Sequence, residues 1–246
     1  MVKLAMLSDT HGLLPPIESV PRCDILVHSG DVCPDGWGGV WCRKDFGRSA
    51  LWLREVFVPW LLELLESGRI NFFVGTFGNH DWVTRMEAQE LNLIDPRITF
   101  LIDAYAEVEG LRIWGSPWSN EFMNWAWMLD PAGMQQVFMA VPAEVDVLLS
   151  HTPPVNCGCR HYDMRSGVEE DIGSLELAIE LPRINPQLVV CGHIHFARGT
   201  YSLGGVHVEN ASYVNEQYRH PQGWDIPVVE VEPRSERQDG RLGQEA

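Results

Sequence analysis

Leu4-Ala5-Met6-Leu7-Ser8-Asp9-Thr10-His11-Gly12 is a short apolar run that passes at once into an aspartate and a histidine two residues apart. From Val2 to Leu7 the run is continuous rather than alternating, the pattern of a strand covered on both faces. Where such a strand gives way to a turn, the aspartate oxygen and the histidine nitrogen can face one metal ion. Asp-x-His pairs are common by chance, and a lone histidine after a strand more often serves its own loop. Repetition lifts this pair above that background.

Four later apolar runs end the same way. Ile25–His28 passes into Ser29-Gly30-Asp31, and Ile70–Val74 into Gly75-Thr76-Phe77-Gly78-Asn79-His80-Asp81. Val145–Leu149 passes into Ser150-His151-Thr152-Pro153-Pro154, and Leu188–Cys191 into Gly192-His193-Ile194-His195. In α/β sheets the carboxyl ends of the strands gather on one edge, where ligands bind. Gly-Asp and Gly-Asn pairs taken singly are turns. Five strand ends that all offer oxygen or nitrogen donors point to metal.

Between these ends the pattern alternates strand and helix. Arg48–Ser67 has helical periodicity, with Pro59 either kinking it or opening a second helix, and Gly68 as its stop. Shorter helices are expected over Val83–Leu91, over Pro131–Ala140, and from the candidate N-cap Ser174 to Leu181. Ile98–Ile102, Tyr105–Glu109, Leu111–Trp114 and Val228–Val231 read as strands, with Glu109-Gly110 a tight turn. Tyr201–Leu203 and Val206–Glu209 read as a hairpin around Gly204-Gly205. Pro34–Lys44 reads as a Gly- and Trp-rich loop, and Val155–Ile172 as a long polar loop of the functional kind. Residues 1–232 are expected to form one domain of α/β layers, with 233–246 a polar, disordered tail.

Composition narrows the classes. At 246 residues and 45% hydrophobic, the chain can bury a full core. Its 18 Lys+Arg against 34 Asp+Glu give a formal charge of −16, which repels duplex nucleic acid and anionic membranes at long range. No apolar run reaches the roughly 18–20 residues of a membrane span, and a strand beginning at Val2 leaves no room for a cleavable leader. Six cysteines are too sparse for a disulfide framework, so a cytoplasmic, reducing setting is expected. Cys157-Gly-Cys159 lacks the second pair that a structural zinc site would need.

In order and spacing, Asp9-x-His11, Gly30-Asp31, Gly78-Asn79-His80-Asp81, His151 and Gly192-His193-x-His195 resemble the signature of the calcineurin-like metallophosphoesterases. Gly115–Trp118, Asn124–Ala126, His151–Pro154 and Asn210–Ser212 resemble the branch of small metallophosphoesterase-domain proteins related to class III phosphodiesterases. That resemblance implies a four-layer α-β-β-α sandwich of two mixed sheets flanked by helices. It implies two divalent ions, Mn²⁺ by preference and Fe or Zn²⁺ as alternatives. Asp9, His11 and His195 would hold one, Asn79, His151 and His193 the other, and Asp31 would bridge them. Two divalent ions against two carboxylates would leave the site at about +2, an anion trap in an anionic protein.

The activity so implied is hydrolysis of a phosphoester by a hydroxide shared between the ions, with His80 stabilising the phosphoryl oxygens or protonating the departing alkoxide. A small nucleotide such as a cyclic mononucleotide is the expected substrate, and a small-substrate or single-strand nuclease is the alternative. A protein phosphatase is disfavoured, because that branch carries an arginine shortly after the bridging aspartate, where this chain has Val-Cys-Pro-Asp-Gly. A protein-binding scaffold with a decayed site is disfavoured because every ligand position is filled. His28 reads as a residue behind the ligands and Cys33 as packing. Trp37, Trp118, Trp125 and Trp127 could stack a base or simply fill the core. Arg160, His161 and Arg165 could meet a phosphate or lie in a solvated loop. Oligomeric state is open.

Overall fold

The computed structural model describes residues 1–34, 46–163 and 167–234. The expected loop around Trp37, Arg165 and nearly all of the expected disordered tail lie outside them. The strands are β1 (Val2–Leu7), β2 (Cys23–His28), β3 (Ile70–Gly75), β4 (Ile98–Phe100), β5 (Ala104–Val108), β6 (Leu111–Ser116), β7 (Ser119–Asn120) and β8 (Met128–Leu129). They continue as β9 (Val147–Ser150), β10 (Arg160–Asp163), β11 (Val168–Asp171), β12 (Leu188–Cys191), β13 (Gly199–Leu203), β14 (Val206–Asn210) and β15 (Val228–Val231). The helices are α1 (Phe46–Trp52), α2 (Val58–Glu66), α3 (Arg85–Leu91), α4 (Pro131–Met139) and α5 (Leu175–Ile184).

Two mixed sheets carry the architecture. The first has strand order β15-β1-β2-β3-β4, and the second β13-β14-β12-β9-β6-β5. Within the first, β1 to β4 run parallel and only β15 is antiparallel. In the second, β14, β12, β9 and β6 run parallel between antiparallel edges. Side-chain alternation along each strand separates three apolar layers. Leu4, Met6, Ile25 and Val27 meet Ile113, Val147, Leu149, Leu188 and Val190 between the sheets. Ala5, Leu7, Leu26 and Phe73 share a cluster with Trp52 of α1, Phe57 of the turn that follows it, and Leu61 and Leu64 of α2. Leu148, Val189 and Cys191 face α4 and α5 through Met134, Phe138, Leu177 and Leu181. The result is the expected four-layer α-β-β-α sandwich.

Local differences have local causes. The helix expected over Arg48–Ser67 is one helical segment interrupted by a π turn, Leu53–Phe57, where the N–H of Val58 reaches back to the carbonyl of Leu53. Pro59 follows, and with no N–H it cannot support the α-helical ladder at that turn. Gly68 stops the segment at φ +64. The helix expected from Val83 starts two residues later, because Thr84 caps it in a capping box with Glu87. The long polar loop over 155–172 holds the antiparallel pair β10–β11. Its polar composition hid that hairpin, since both of its faces are largely exposed.

Candidate metal centre

Every expected ligand follows a buried strand at the edge where both sheets present their carboxyl ends. Asp9, Asp31 and Asn79 follow β1, β2 and β3 of the first sheet; His151, His193 and His195 follow β9 and β12 of the second. Asp9, His11, Asp31 and His193 all have positive φ, between 44° and 64°. Left-handed backbone at non-glycine residues is costly and persists where the surroundings hold it. Here it turns the chain sharply at each strand end, so that side chains point into a common space.

The sheets are stitched together at this edge. The backbone N–H of His193 donates to both oxygens of Asp9 at 3.0 Å, and Ser212 Oγ lies 2.9 Å from Asp9 Oδ2. Within the first sheet, His80 N–H donates to Asp31 Oδ1 at 2.7 Å. Two glycines make the approach possible. A Cβ at Gly192 would collide with Asp9 Oδ2 and Ser8 Oγ, and one at Gly78 would collide with Asp31 Oδ1 and the ring of His151. Only glycine leaves room for carboxylates this close to backbone.

Two donor groups result. Oxygen or nitrogen atoms of Asp9, His11 and His195 lie within 4.8 Å of one another, and so do those of Asp31, His151 and His193. Asp31 Oδ2 faces both, 3.8 Å from His11 Nε2 and 3.3 Å from His151 Nε2. Asn79 Oδ1 joins the second group, 2.9 Å from His151 Nε2, while its Nδ2 is buried without a hydrogen-bond partner among the described residues. The structure therefore gathers all seven expected ligands. His80 stands beside them, its Nε2 4.0 Å from Asp31 Oδ2.

The imidazoles are oriented from behind. His151 Nδ1 lies 3.1 Å from the carbonyl of Ser29, and His195 Nδ1 lies 3.0 Å from that of Asn215. A carbonyl can only accept, so each Nδ1 carries a proton and each Nε2 is aimed at the site. His11 Nε2 and His195 Nε2 face each other at 3.3 Å. At that distance one nitrogen donates a proton to the lone pair of the other, or both lone pairs face a cation.

Carboxylates and imidazoles also set one another's charge. Burial pushes the Asp9 carboxyl up, but the hydrogen bond and charge of His195 overcome this and hold it well below the usual range. Burial would likewise lower His195, yet Asp9 raises it to about 9. Asp31 and His151 form a second such pair: burial opposes both shifts, Asp31 ends low chiefly through the His151 charge, and His151 ends high chiefly through Asp31. Burial and the charge of His151 push His193 down to about 3, so it stays neutral with a free lone pair. Two carboxylates, an amide oxygen and four imidazoles, all lacking thiolate, suit Mn²⁺, Fe or Zn²⁺. The donor set fits a cation pair.

Residues behind the ligands hold the loops. His28 Nδ1 accepts from Gly30 N–H at 3.2 Å and its Nε2 then donates to Thr10 Oγ1, also at 3.2 Å. Burial lowers its pKa to about 3, so His28 is a neutral tie between the Asp9 and Asp31 turns. Sequence reading gave no role to Asp81, which the structure places at the centre of a second tie. Its carboxylate accepts from the N–H groups of Val32, Cys33 and Gly78 at 3.2, 2.8 and 2.9 Å. The signal was its place in Gly78-Asn79-His80-Asp81. Asn210 was singled out only as part of a motif; its Nδ2 donates to the carbonyls of Gly192 and Ile194. Tyr218 had no sequence signal at all, yet its ring lies 4.7 Å from that of His11 and 5.5 Å from that of His195.

The tryptophans divide. Trp127 Nε1 donates to the Asp81 carbonyl, and its ring packs on Phe77 and Trp118. Trp118 Nε1 binds Asp103. Both are structural. Trp125 instead lies against His80, with ring centroids 4.8 Å apart. Cys33 is buried with its thiol toward the Ser49 carbonyl. His161 stacks on Phe196 at 6.1 Å, which brings β10 over the turn carrying His195.

Comparison with known proteins agrees with this geometry. The sequence profile described as Calcineurin-like phosphoesterase matches residues 2–197. Human metallophosphoesterase domain-containing protein 1 is 26% identical over 231 residues, covering 88% of this chain and 68% of the human protein. A UPF0046 protein of Caenorhabditis elegans is 27% identical over 241 residues, covering 92% and 82%. Among solved structures, TT1561 of Thermus thermophilus superposes with a TM-score of 0.55 at 16% identity, covering 85% of this chain and 88% of that one. Phosphopantetheinyl hydrolase of Mycobacterium tuberculosis does so at 0.55 and 17%, covering 94% and 97%. At these identities the structural likeness carries the fold.

Proposed function

The chain belongs to the calcineurin-like phosphoesterase family, and from that premise we propose that it is a phosphodiesterase acting on a small nucleotide such as a cyclic mononucleotide. Family membership makes it a metal-dependent hydrolase of phosphoesters; the diester preference and the nucleotide are our own reading. The observation that carries the site assignment is Asp31, whose Oδ2 faces His11 at 3.8 Å and His151 at 3.3 Å, one carboxylate serving both donor groups.

Asp9, His11 and His195 would hold one ion, Asn79, His151 and His193 the other, and Asp31 both. Mn²⁺ is the proposed metal, with Fe or Zn²⁺ as alternatives. When bound, the pair supplies positive charge against the phosphoryl oxygens and a water of lowered pKa. The chain's own residues do the rest. Asp9 and Asp31 set the separation of the two groups, and the Ser29 and Asn215 carbonyls keep His151 and His195 in the ligating tautomer. His80, its side chain only 7% exposed and held by its backbone bond to Asp31, offers a proton to the departing oxygen.

Charge supports a small substrate: at −16 the chain has no long-range attraction for a polyanion, so binding rests on the local site. All five described cysteines are buried free thiols, which fits the proposed cytoplasmic setting. No helix among the described residues is long and apolar enough to cross a membrane. The test is hydrolysis of bis(p-nitrophenyl) phosphate with Mn²⁺. Asp31→Ala and Asn79→Ala should each abolish it, and full activity in either would sink the assignment.

A further inference from the structure

We propose that Trp125, with Phe122 at its edge, is the platform on which an aromatic base of the leaving alcohol stacks beside His80. This deepens the nucleotide phosphodiesterase reading and rests on it. The segment between β7 and β8 is bolted to the loop that carries Asn79 and His80. Ala126 N–H donates to the Asn79 carbonyl at 3.0 Å, Trp127 Nε1 donates to the Asp81 carbonyl at 2.9 Å, and Ser119 N–H donates to the Trp127 carbonyl at 3.0 Å. Trp125 therefore moves with the metal-site loop rather than with solvent.

Trp125 is half-buried, between a histidine of the site and an exposed phenyl ring. The Trp125 ring lies 4.8 Å from His80, tilted by 46°, and Phe122 meets it edge-on at 5.7 Å. Phe122 is 59% exposed and its neighbour Met123 69% exposed. Met123 and Trp127 hold left-handed backbone, φ +63 and +46, where glycine would be easier. Strain of that kind needs surroundings that impose it; at Trp127 the packing on Phe77 and Trp118 imposes it and anchors the segment, while the side chain of Met123 stays exposed. In the proposed reaction His80 serves the departing oxygen, so the group that continues onto Trp125 is the leaving alcohol. The accessible part of a half-buried indole can take a planar base, and base-on-aromatic stacking accepts any nucleobase. A longer nucleic acid strand would need backbone contacts that this acidic chain does not favour.

The test compares three ligands on the Mn²⁺-loaded protein by calorimetry: AMP, ribose 5-phosphate and inorganic phosphate. AMP should bind about tenfold tighter than ribose 5-phosphate, the size of one stacked base. Trp125→Ala should collapse that ratio to about unity, Trp125→Phe should keep most of it, and Phe122→Ala should reduce it in part. The ratio cancels any general loss of phosphate binding in a variant. Equal affinities in the wild type, or an unchanged ratio in Trp125→Ala, would overturn the platform while leaving the phosphoester site standing. If none of the three ligands binds, the platform and the reading beneath it both fall.

Discussion

At the scale of the residue, the site is a set of carboxylates and imidazoles that need positive charge and find it first in protons. His195, raised to about 9 by Asp9, must lose its Nε2 proton before it can ligate. Metal uptake at pH 7 should therefore release at least one proton, and affinity should climb as pH rises toward 9. Calorimetry in two buffers of different ionisation enthalpy measures that release; none at all would contradict the charge assignment. In the metal-free protein the sign is reversed for stability. A raised His195 stabilises the fold fully below its unfolded value near 6.5, and that contribution fades as pH rises through about 9. The depressed Asp9 carboxyl stabilises above 3.8 and fades on acidification below that. Asp81 gives a different prediction. Asp81→Asn replaces one of two acceptor oxygens by an amide that faces backbone N–H groups, in a side chain that is fully buried. It should cost about 2–3 kcal/mol of stability and lower activity by loosening the Asp31 and Asn79 loops, read by denaturant unfolding alongside turnover.

Single strands decide where each ligand points, and connections between strands decide whether it stays. Asn210 ends β14 and clamps the loop of His193 and His195 through two carbonyls, at 3.3 and 3.0 Å. Asn210→Asp would set a carboxylate against those carbonyls. Mn²⁺ affinity should fall by roughly 10–100-fold, the usual cost of losing a residue that orients a ligand; affinity within twofold of the wild type would count against the clamp. Element positions were largely legible because buried parallel strands announce themselves as continuous apolar runs. Less legible were elements whose order comes from contacts. The β10–β11 hairpin is polar on both faces, and β7 and β8 are two residues each, defined only by their pairing. Trp125 could be named from sequence as near the site, but not separated from Trp118 and Trp127, because all three are tryptophans in one aromatic stretch and only their partners differ.

For the whole molecule, the ligands come from both sheets and from positions 9 to 195, so ion binding should couple the two halves of the sandwich. Mn²⁺ at about 100 times its dissociation constant should add about 2.7 kcal/mol to unfolding. Thermal unfolding with Mn²⁺ and with a chelator measures the shift, and a coincident loss of both sheets marks the coupling. An unchanged Tm would mean that the groups do not bind as one site.

The sequence alone determined the class of fold and the kind of chemistry. Its five apolar runs each end in oxygen or nitrogen donors, and strand-end donors converge once the strands are parallel. Tertiary structure decided the rest, because it depends on distances between residues far apart in the chain. That Asp31 faces both donor groups, that Asn215 and Ser29 set two histidine tautomers, and that Tyr218 and Trp125 lie against histidines of the site are facts of packing. No local pattern of residues encodes a contact across two sheets; burial of the layer between them does.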